Sequence, residues 1–428
     1  MLMKGSFWLL FLSPYFAGAQ IHSVNFSQDL SWQGVLQKAK IENKYIFVDC
    51  YASWCGPCKL MDKDVYPIDS IGTLMNDHFI SVKVQCDSSV NDNENIRSWY
   101  SVAHDIVDKY RIRAYPTFLF LSPEGEIVHK GMGYQTPADF VGLVKAALDP
   151  NKQYYSLLKK YLAGEKNYVL EPYLADAALK LGDTAVSTAI AKEYMRNYLD
   201  NLNDQAFFTK ENFDFFARNY TLLSSKDRVF GWYYHHGALV DSMMRYKGYA
   251  SGCVSYFAYK EVVAPRLLRS QSTGQTPDWG SIARDIEEKF GTVYAEKNLL
   301  TAKIRWYSYA KDWKNYTKFL VENLEQDSAQ IVADKGSNFF VLNNNAWQVF
   351  QHSEDKHELE RAVSWSELAL RFLPSPDGNY MDTKANLLYK LGKKDEALAV
   401  EAKASELSPE DKNIQENLKK MQEGKPTW

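Results

Sequence analysis

The chain has 428 residues, a net charge of -3, 46% hydrophobic and 24% charged residues. That length corresponds to about two to four domains, and the near-neutral charge excludes the basic footprint of a nucleic-acid or anionic-membrane binder. Aromatic residues reach 14%, which in a helical protein points to ring packing between helices.

The first residues have the layout of an export signal. Lys4 gives a positive start, Phe7 to Phe16 is apolar, and Ala17–Gly18–Ala19 ends in small residues. Residues 1–19 are therefore expected to be a cleaved signal peptide, since the apolar run is too short to span a bilayer. No cysteine precedes Cys50, so no lipid-anchor cysteine follows the signal. No later segment approaches 18 uninterrupted apolar residues, so a soluble, exported and periplasmic mature protein is expected.

Ser31 to Asn43 reads as a helix with Trp32, Val35, Leu36 and Ala39 on one face. "KYIFVDCYA" reads as a buried central strand. The stretch "SWCGPC", residues 53–58, follows it and leads into a helix marked by Leu60, Met61 and Val65. "FISVKVQCD" is a second strand, and Ile96 to Tyr110 a further helix. "PTFLFLSPEGEIVHKG" is a hairpin turning at Pro123–Glu124–Gly125. Thr136 caps a closing helix to Leu148, with Pro137 in its first turn. The order is βαβαββα.

"LDPNKQ", residues 148–153, marks a boundary. Beyond it helical periodicity dominates. Ala362, Ala369 and Pro374 recur as Ala397, Ala404 and Pro409, an offset of 35 residues. Small alanines let paired helices approach closely, and the proline ends the second helix. "ANLLYKLGKKDEALAVEAKASELSPED" is similar to a tetratricopeptide repeat, and a looser unit starts near Asn345. The expected division is 21–149 for the α/β unit, 150–340 for a helical domain with degenerate repeats such as Asp312 to Leu324, and 341–423 for repeat-like helices.

Five cysteines, Cys50, Cys55, Cys58, Cys86 and Cys253, are too few for a disulfide-stapled scaffold. Only a thiolate attacks a disulfide. Cys55 sits where a strand ends and a helix begins, and a helix N-terminus stabilises an anion. Cys55 is thus the expected nucleophile. Cys58, one turn on and more buried, is the expected resolving residue. Zinc needs two more ligands, and no second CxxC or suitably spaced histidine supplies them; His235 and His236 are adjacent and point to different sides of a helix. No metal and no cofactor is expected.

The stretch "FVDCYASWCGPCK" resembles the thioredoxin superfamily motif, and "KYRIRAYPT", "AYPTFLF" and Gly133 fit the same family. The resemblance covers about residues 30 to 148. It implies an α/β thioredoxin fold, a mixed sheet flanked by helices, here followed by an all-α, repeat-like domain. It implies a Cys55–Cys58 redox disulfide. Asp49 matches a buried carboxylate under the dithiol, whose affinity for protons burial raises, and Lys83 the basic residue paired with it. Pro116 matches a cis-proline that presents the Tyr115 backbone to an extended substrate. Trp54, Gly56 and Pro57 would complete the substrate surface.

Two features depart from a minimal thioredoxin. Extra residues around Ser88 to Ala103, including Trp99 and Tyr100, form either a plain insertion or a groove wall. Cys50 and Cys86 lie on neighbouring strands. If Asp49 opposes Lys83, their offset is about 7 Å along the strand, beyond disulfide reach. They and Cys253 read as small buried hydrophobes.

The resulting expectation is an exported thiol–disulfide oxidoreductase that reduces protein disulfides. A membrane thiol transporter is the electron donor the resemblance implies. The alternative is a client-binding scaffold, or a disulfide isomerase or chaperone, whose helical repeats hold a protein partner. No nucleic-acid partner is expected.

Overall fold

The computed structural model describes residues 23–326 and 339–428. The signal expected at 1–19 lies outside the described residues, as does the segment 327–338 of the helical region. By contacts the chain divides into two units, Met1–Leu222 and Leu223–Trp428.

The first unit is built on a four-stranded sheet in the order β2-β1-β3-β4. Its strands are β1 (Tyr45–Tyr51), β2 (Phe79–Gln85), β3 (Thr117–Leu121) and β4 (Ile127–Met132). β1 runs parallel to β2 and antiparallel to β3, and β4 returns antiparallel to β3. A central strand of a covered sheet is buried on both faces, which is why the β1 sequence is nearly continuously apolar. Alternation sends Phe47 to one face, where it packs with Met61, Ile71, Met75, Phe118 and Phe140. Ile46, Val48 and Cys50 go to the other, with Val35, Ala39, Ala103 and Ile106.

Those partners come from helices on the two faces. α1 (Trp32–Glu42) is capped by Ser31, whose side chain accepts from Gly34 N, and ends at Asn43 in the left-handed region. α2 (Gly56–Asp64) follows β1, and α3 (Asp69–His78) leads into β2. The single helix expected over 96–110 is instead two, α4 (Glu94–Ser98) and α5 (Tyr100–Lys109). The break is at Trp99. Its N–H bonds back only three residues, to Ile96, and its ring packs edge-on against Trp32 at 6.3 Å. α6 (Pro137–Leu148) is capped by Thr136, which accepts from Asp139 N.

The expected boundary at 149/150 falls inside the first unit. α7 (Tyr154–Leu162) packs against β4. Tyr154 is fully buried, its N–H donates to His129 Nδ1 at 3.0 Å, and its hydroxyl donates to Asp183. Burial pulls the His129 ring down to about 4, so the imidazole is neutral and can accept that bond. α8 (Glu171–Lys180) and α9 (Thr184–Asn197) then form a helical hairpin.

The second unit is helical throughout its described residues. Helices Phe339–His352 and Lys356–Phe372 pair, as do Gly378–Lys390 and Lys394–Leu407. Ala362, Ala369, Ala397 and Ala404 are all fully buried, so the residues at the 35-residue offset are contact points between helices. Gly378 permits a close approach of the last of these pairs. A Cβ placed there would lie 2.8 Å from the Ala404 carbonyl oxygen. Gly378→Ala is therefore expected to destabilise this unit by about 1–3 kcal/mol, read as a lower urea midpoint of the full chain.

Candidate functional site

The sequence between β1 and α2 places the two thiols by backbone chemistry. Cys55 is the N-cap of α2, with extended φ and ψ, and Cys55 Sγ accepts the N–H of Cys58 at 3.1 Å. Pro57 occupies a first-turn position whose N–H would have no intrahelical partner. Cys55 and Cys58 are joined as a disulfide. Contrary to the expectation of a more buried Cys58, the two are covered alike, at 2% and 3% exposure. Tyr51, Ala52 and Tyr115 pack around them, so each sulfur has protein on several sides.

The expected substrate-facing residues surround this disulfide. Trp54 keeps 71% of its surface in solvent, and its ring meets Tyr115 edge-on at 6.0 Å. Gly56 is open, with no atom near the place a Cβ would take. The Tyr115–Pro116 peptide is cis. Gly133, at φ 78°, turns its N–H onto the Pro116 carbonyl at 2.8 Å and so braces that loop.

On the strand that leads into the dithiol, the register puts Asp49 directly opposite Lys83. Asp49 is buried, and burial pushes its carboxyl up to about 6 despite the Lys83 charge. Lys83 Nζ lies 3.9 Å from Asp49 Oδ2 and makes a closer ion pair with Asp62 Oδ1. The rings of Phe26, Tyr51 and Tyr66 surround the ammonium at 5.0–5.8 Å. The Tyr66 hydroxyl lies near enough to the Asp49 carboxyl to draw it down by hydrogen bonding against the effect of burial, although neither Asp49 Oδ1 nor Tyr66 Oη has a partner at full hydrogen-bond geometry. A buried carboxyl with an unfilled acceptor, held near neutral pH, is suited to taking up a proton.

Asp62, Tyr66 and Asp87 were not singled out from the sequence. Asp62 lies four residues after Cys58, on the same face of α2, a spacing that could have marked it. Asp87 accepts from Ser53 N at 2.9 Å and from Ser53 Oγ at 2.6 Å, tying the loop after β2 to the turn that carries the cysteines. In the longer segment that follows, Asp92 accepts from Ser89 N, Gln85 Nε2 and Tyr100 Oη. This orders the extra residues as one wall of a cleft of about 330 Å³, with Asn93, Asn95 and Trp99 facing Tyr51, Asp62 and Lys83.

Of the other thiols, Cys86 is half-buried beside Tyr115, while Cys50 and Cys253 stand apart from this chemistry. Cys50 pairs in register with Val84, two residues short of Cys86, and burial raises its thiol well above the usual range. Burial likewise pushes Cys253 up to about 11. A thiol so raised is protonated and unreactive at neutral pH. Among the described residues no group of three histidine, cysteine or acidic side chains is placed to hold a metal ion, and no helix is long and apolar enough to cross a membrane.

Residues 32–148 match the family model of a thioredoxin-like domain. Thioredoxin H1 of Arabidopsis thaliana is 35% identical over 103 residues, covering 24% of this chain and 74% of that protein. A peptide-N(4)-(N-acetyl-beta-glucosaminyl)asparagine amidase of Caenorhabditis elegans is 25% identical over 272 residues, 60% of this chain and 41% of that protein. The solution structure of a putative disulphide-isomerase from Bacteroides thetaiotaomicron is 30% identical and covers 31% of this chain and 98% of its own, with a TM-score of 0.26. The chain spans about half or less of the length of the first curated relatives it matches.

Proposed function

Because the chain belongs to the thioredoxin family, we propose that it is an exported thiol–disulfide oxidoreductase that reduces disulfides of other proteins. The observation that carries this reading is the placement of Cys55 Sγ at the N-terminus of α2, where it accepts the Cys58 N–H at 3.1 Å. That donor and the helix dipole favour the thiolate over the thiol.

In the reduced enzyme the Cys55 thiolate attacks one sulfur of a substrate disulfide. A Cys55–substrate disulfide forms, and the other substrate sulfur leaves as a thiolate. The Cys58 thiol then gives its proton to Asp49, directly or through water, and attacks Cys55 Sγ. The Cys55–Cys58 disulfide forms and the second substrate sulfur leaves. The substrate has gained two electrons and the enzyme has lost two. A membrane thiol transporter, the donor the family resemblance suggests, restores the dithiol. Export is supported by the composition of residues 1–19. A redox-active CxxC outside the cytoplasm stays reduced only if a partner supplies electrons.

Trp54, Gly56, Pro57, Tyr115 and Pro116 form the docking surface in this reading, with Trp54 offering an exposed ring to an apolar substrate side chain. The helical region, read as tetratricopeptide-like from residue 341, would hold clients. A groove of about 640 Å³ in the second unit, bordered by Asn343, Trp347, Asn379, Asp382, Asn413 and Asn417, favours that role. A scaffold or an isomerase would use the same groove.

Cys58→Ser tests the proposal. An oxidoreductase lacking its resolving thiol is expected to accumulate covalent, dithiothreitol-reversible adducts with client proteins through Cys55, visible on non-reducing gels. A chain that binds clients through its helices alone would give none.

A further inference from the structure

Lys83 stands between two carboxylates, one buried and one exposed. Its Nζ is 3.9 Å from Asp49 Oδ2 and closer to Asp62 Oδ1, with which it forms a hydrogen-bonded ion pair. β2 supplies Lys83 directly opposite Asp49 in the register. α2 supplies Asp62, four residues beyond Cys58. The remaining groups that act on Asp49 are the Tyr66 hydroxyl, which follows α2, and through charge alone its strand neighbours Cys50, on the opposite face of the sheet, and Tyr51. β3 presents the uncharged Phe118 opposite it.

We propose that Asp62 is a positioning residue for proton transfer from Cys58 to Asp49, acting by drawing the Lys83 ammonium toward the outer side of the cluster. This rests on the reading of Asp49 as the proton acceptor. With Asp62 present, protonation of Asp49 takes the three groups from a net charge of -1 to zero, and Lys83 keeps a partner throughout. Without Asp62, Lys83 pairs wholly with ionised Asp49, and protonation would leave an unpaired cation between three aromatic rings. Leaving the largely covered Lys83 charge unpaired is costly, so Asp49 would hold its proton less tightly and become a weaker base. The negative charge of Asp62 also opposes ionisation of Asp49 directly. Asp62 and Lys83 both line the cleft beside the extra segment, so the outer half of the pair meets solvent while Asp49 does not.

The step itself can be read optically. Mixed with an excess of an aromatic disulfide whose thiolate is coloured, the reduced full-length chain releases a first equivalent as Cys55 attacks, at a rate proportional to reagent. It releases a second, reagent-independent equivalent as Cys58 resolves the adduct. In the wild type the second rate is expected to fall as pH drops through about 6. In Asp62→Asn this limb is expected to move to a pH lower by about 1, and Asp62→Glu to restore it. In a Lys83→Met background the shift caused by Asp62→Asn is expected to shrink. A limb that stays in place in Asp62→Asn overturns the proposal, as does a shift undiminished without Lys83. A wild-type chain with no second release, or with a limb that survives Asp49→Asn, overturns the reading of Cys58 and Asp49 and this proposal with it.

Discussion

Replacing Cys55 with serine is expected to abolish disulfide reduction, by roughly a thousandfold or more, the scale reached when the nucleophile of a covalent mechanism is deleted. The hydroxyl would occupy the same N-cap and accept the same Cys58 N–H, because serine is a favoured N-cap residue. The fold is therefore expected to survive, with an unfolding free energy within about 0.5 kcal/mol of the reduced wild type, the oxidised wild type having the Cys55–Cys58 cross-link in addition. What is lost is the anion: an alcohol at a helix N-terminus does not ionise near neutral pH, and neither Cys50 nor Cys253 offers a thiolate in its place. Cys50 is buried and its thiol raised well above the usual range, and Cys253 is raised to about 11. Turnover of a protein disulfide with a chemical thiol as donor, compared between the two chains, measures this. A Cys55→Ser chain retaining a tenth of wild-type activity would move the chemistry elsewhere.

Asp49→Asn is expected to have two opposite effects. The resolving step at pH 7 slows by about a hundredfold, the lower end of what a positioned general base contributes, because asparagine takes up no proton. At the same time the protein becomes more stable. The Asp49 carboxyl is pushed up from 3.8 to about 6 by burial, so the folded state binds its proton more tightly than the unfolded chain does. The stability associated with that proton is fully present below pH 3.8 and is lost as pH rises through about 6. Above pH 6 the buried charge costs about 3 kcal/mol, the free energy that separates proton affinities so far apart. The variant should therefore match the wild type near pH 4 and exceed it increasingly up to pH 7, as followed by urea unfolding. Equal stability of the two chains at pH 7 would mean that Asp49 ionises freely where it sits.

Much of this site was legible in the sequence because it is local. The strand, the N-cap cysteine and the first-turn proline are consecutive, and α1 and α6 announce themselves through the caps Ser31 and Thr136. The facing of Asp49 and Lys83 needed one step more, a register between two strands, and the structure has that register. What stayed hidden depends on side chains brought together from distant segments. Asp62 reaches Lys83 across a helix–strand contact, and Asp87 reaches Ser53 from the neighbouring strand end. The equal covering of Cys55 and Cys58 comes from Tyr51 and Tyr115, the second 57 residues beyond Cys58. Trp99 divides a segment that periodicity reads as one helix, because packing against Trp32 outweighs helical continuity there.

The hydrogen bond from Tyr154 to His129 bears on how the protein can be dissected. Cutting after residue 149 would remove the segment that shields the last strand. It would leave an uncapped imidazole and a bare apolar flank open to water, where flat strand margins recruit other chains. A truncated version designed for crystallography or isotope labelling is better ended beyond the Thr184–Asn197 helix, which keeps both Tyr154 and its phenol partner Asp183 in place. Cloudy preparations of a shorter piece would then report a missing cover and say nothing about the redox chemistry.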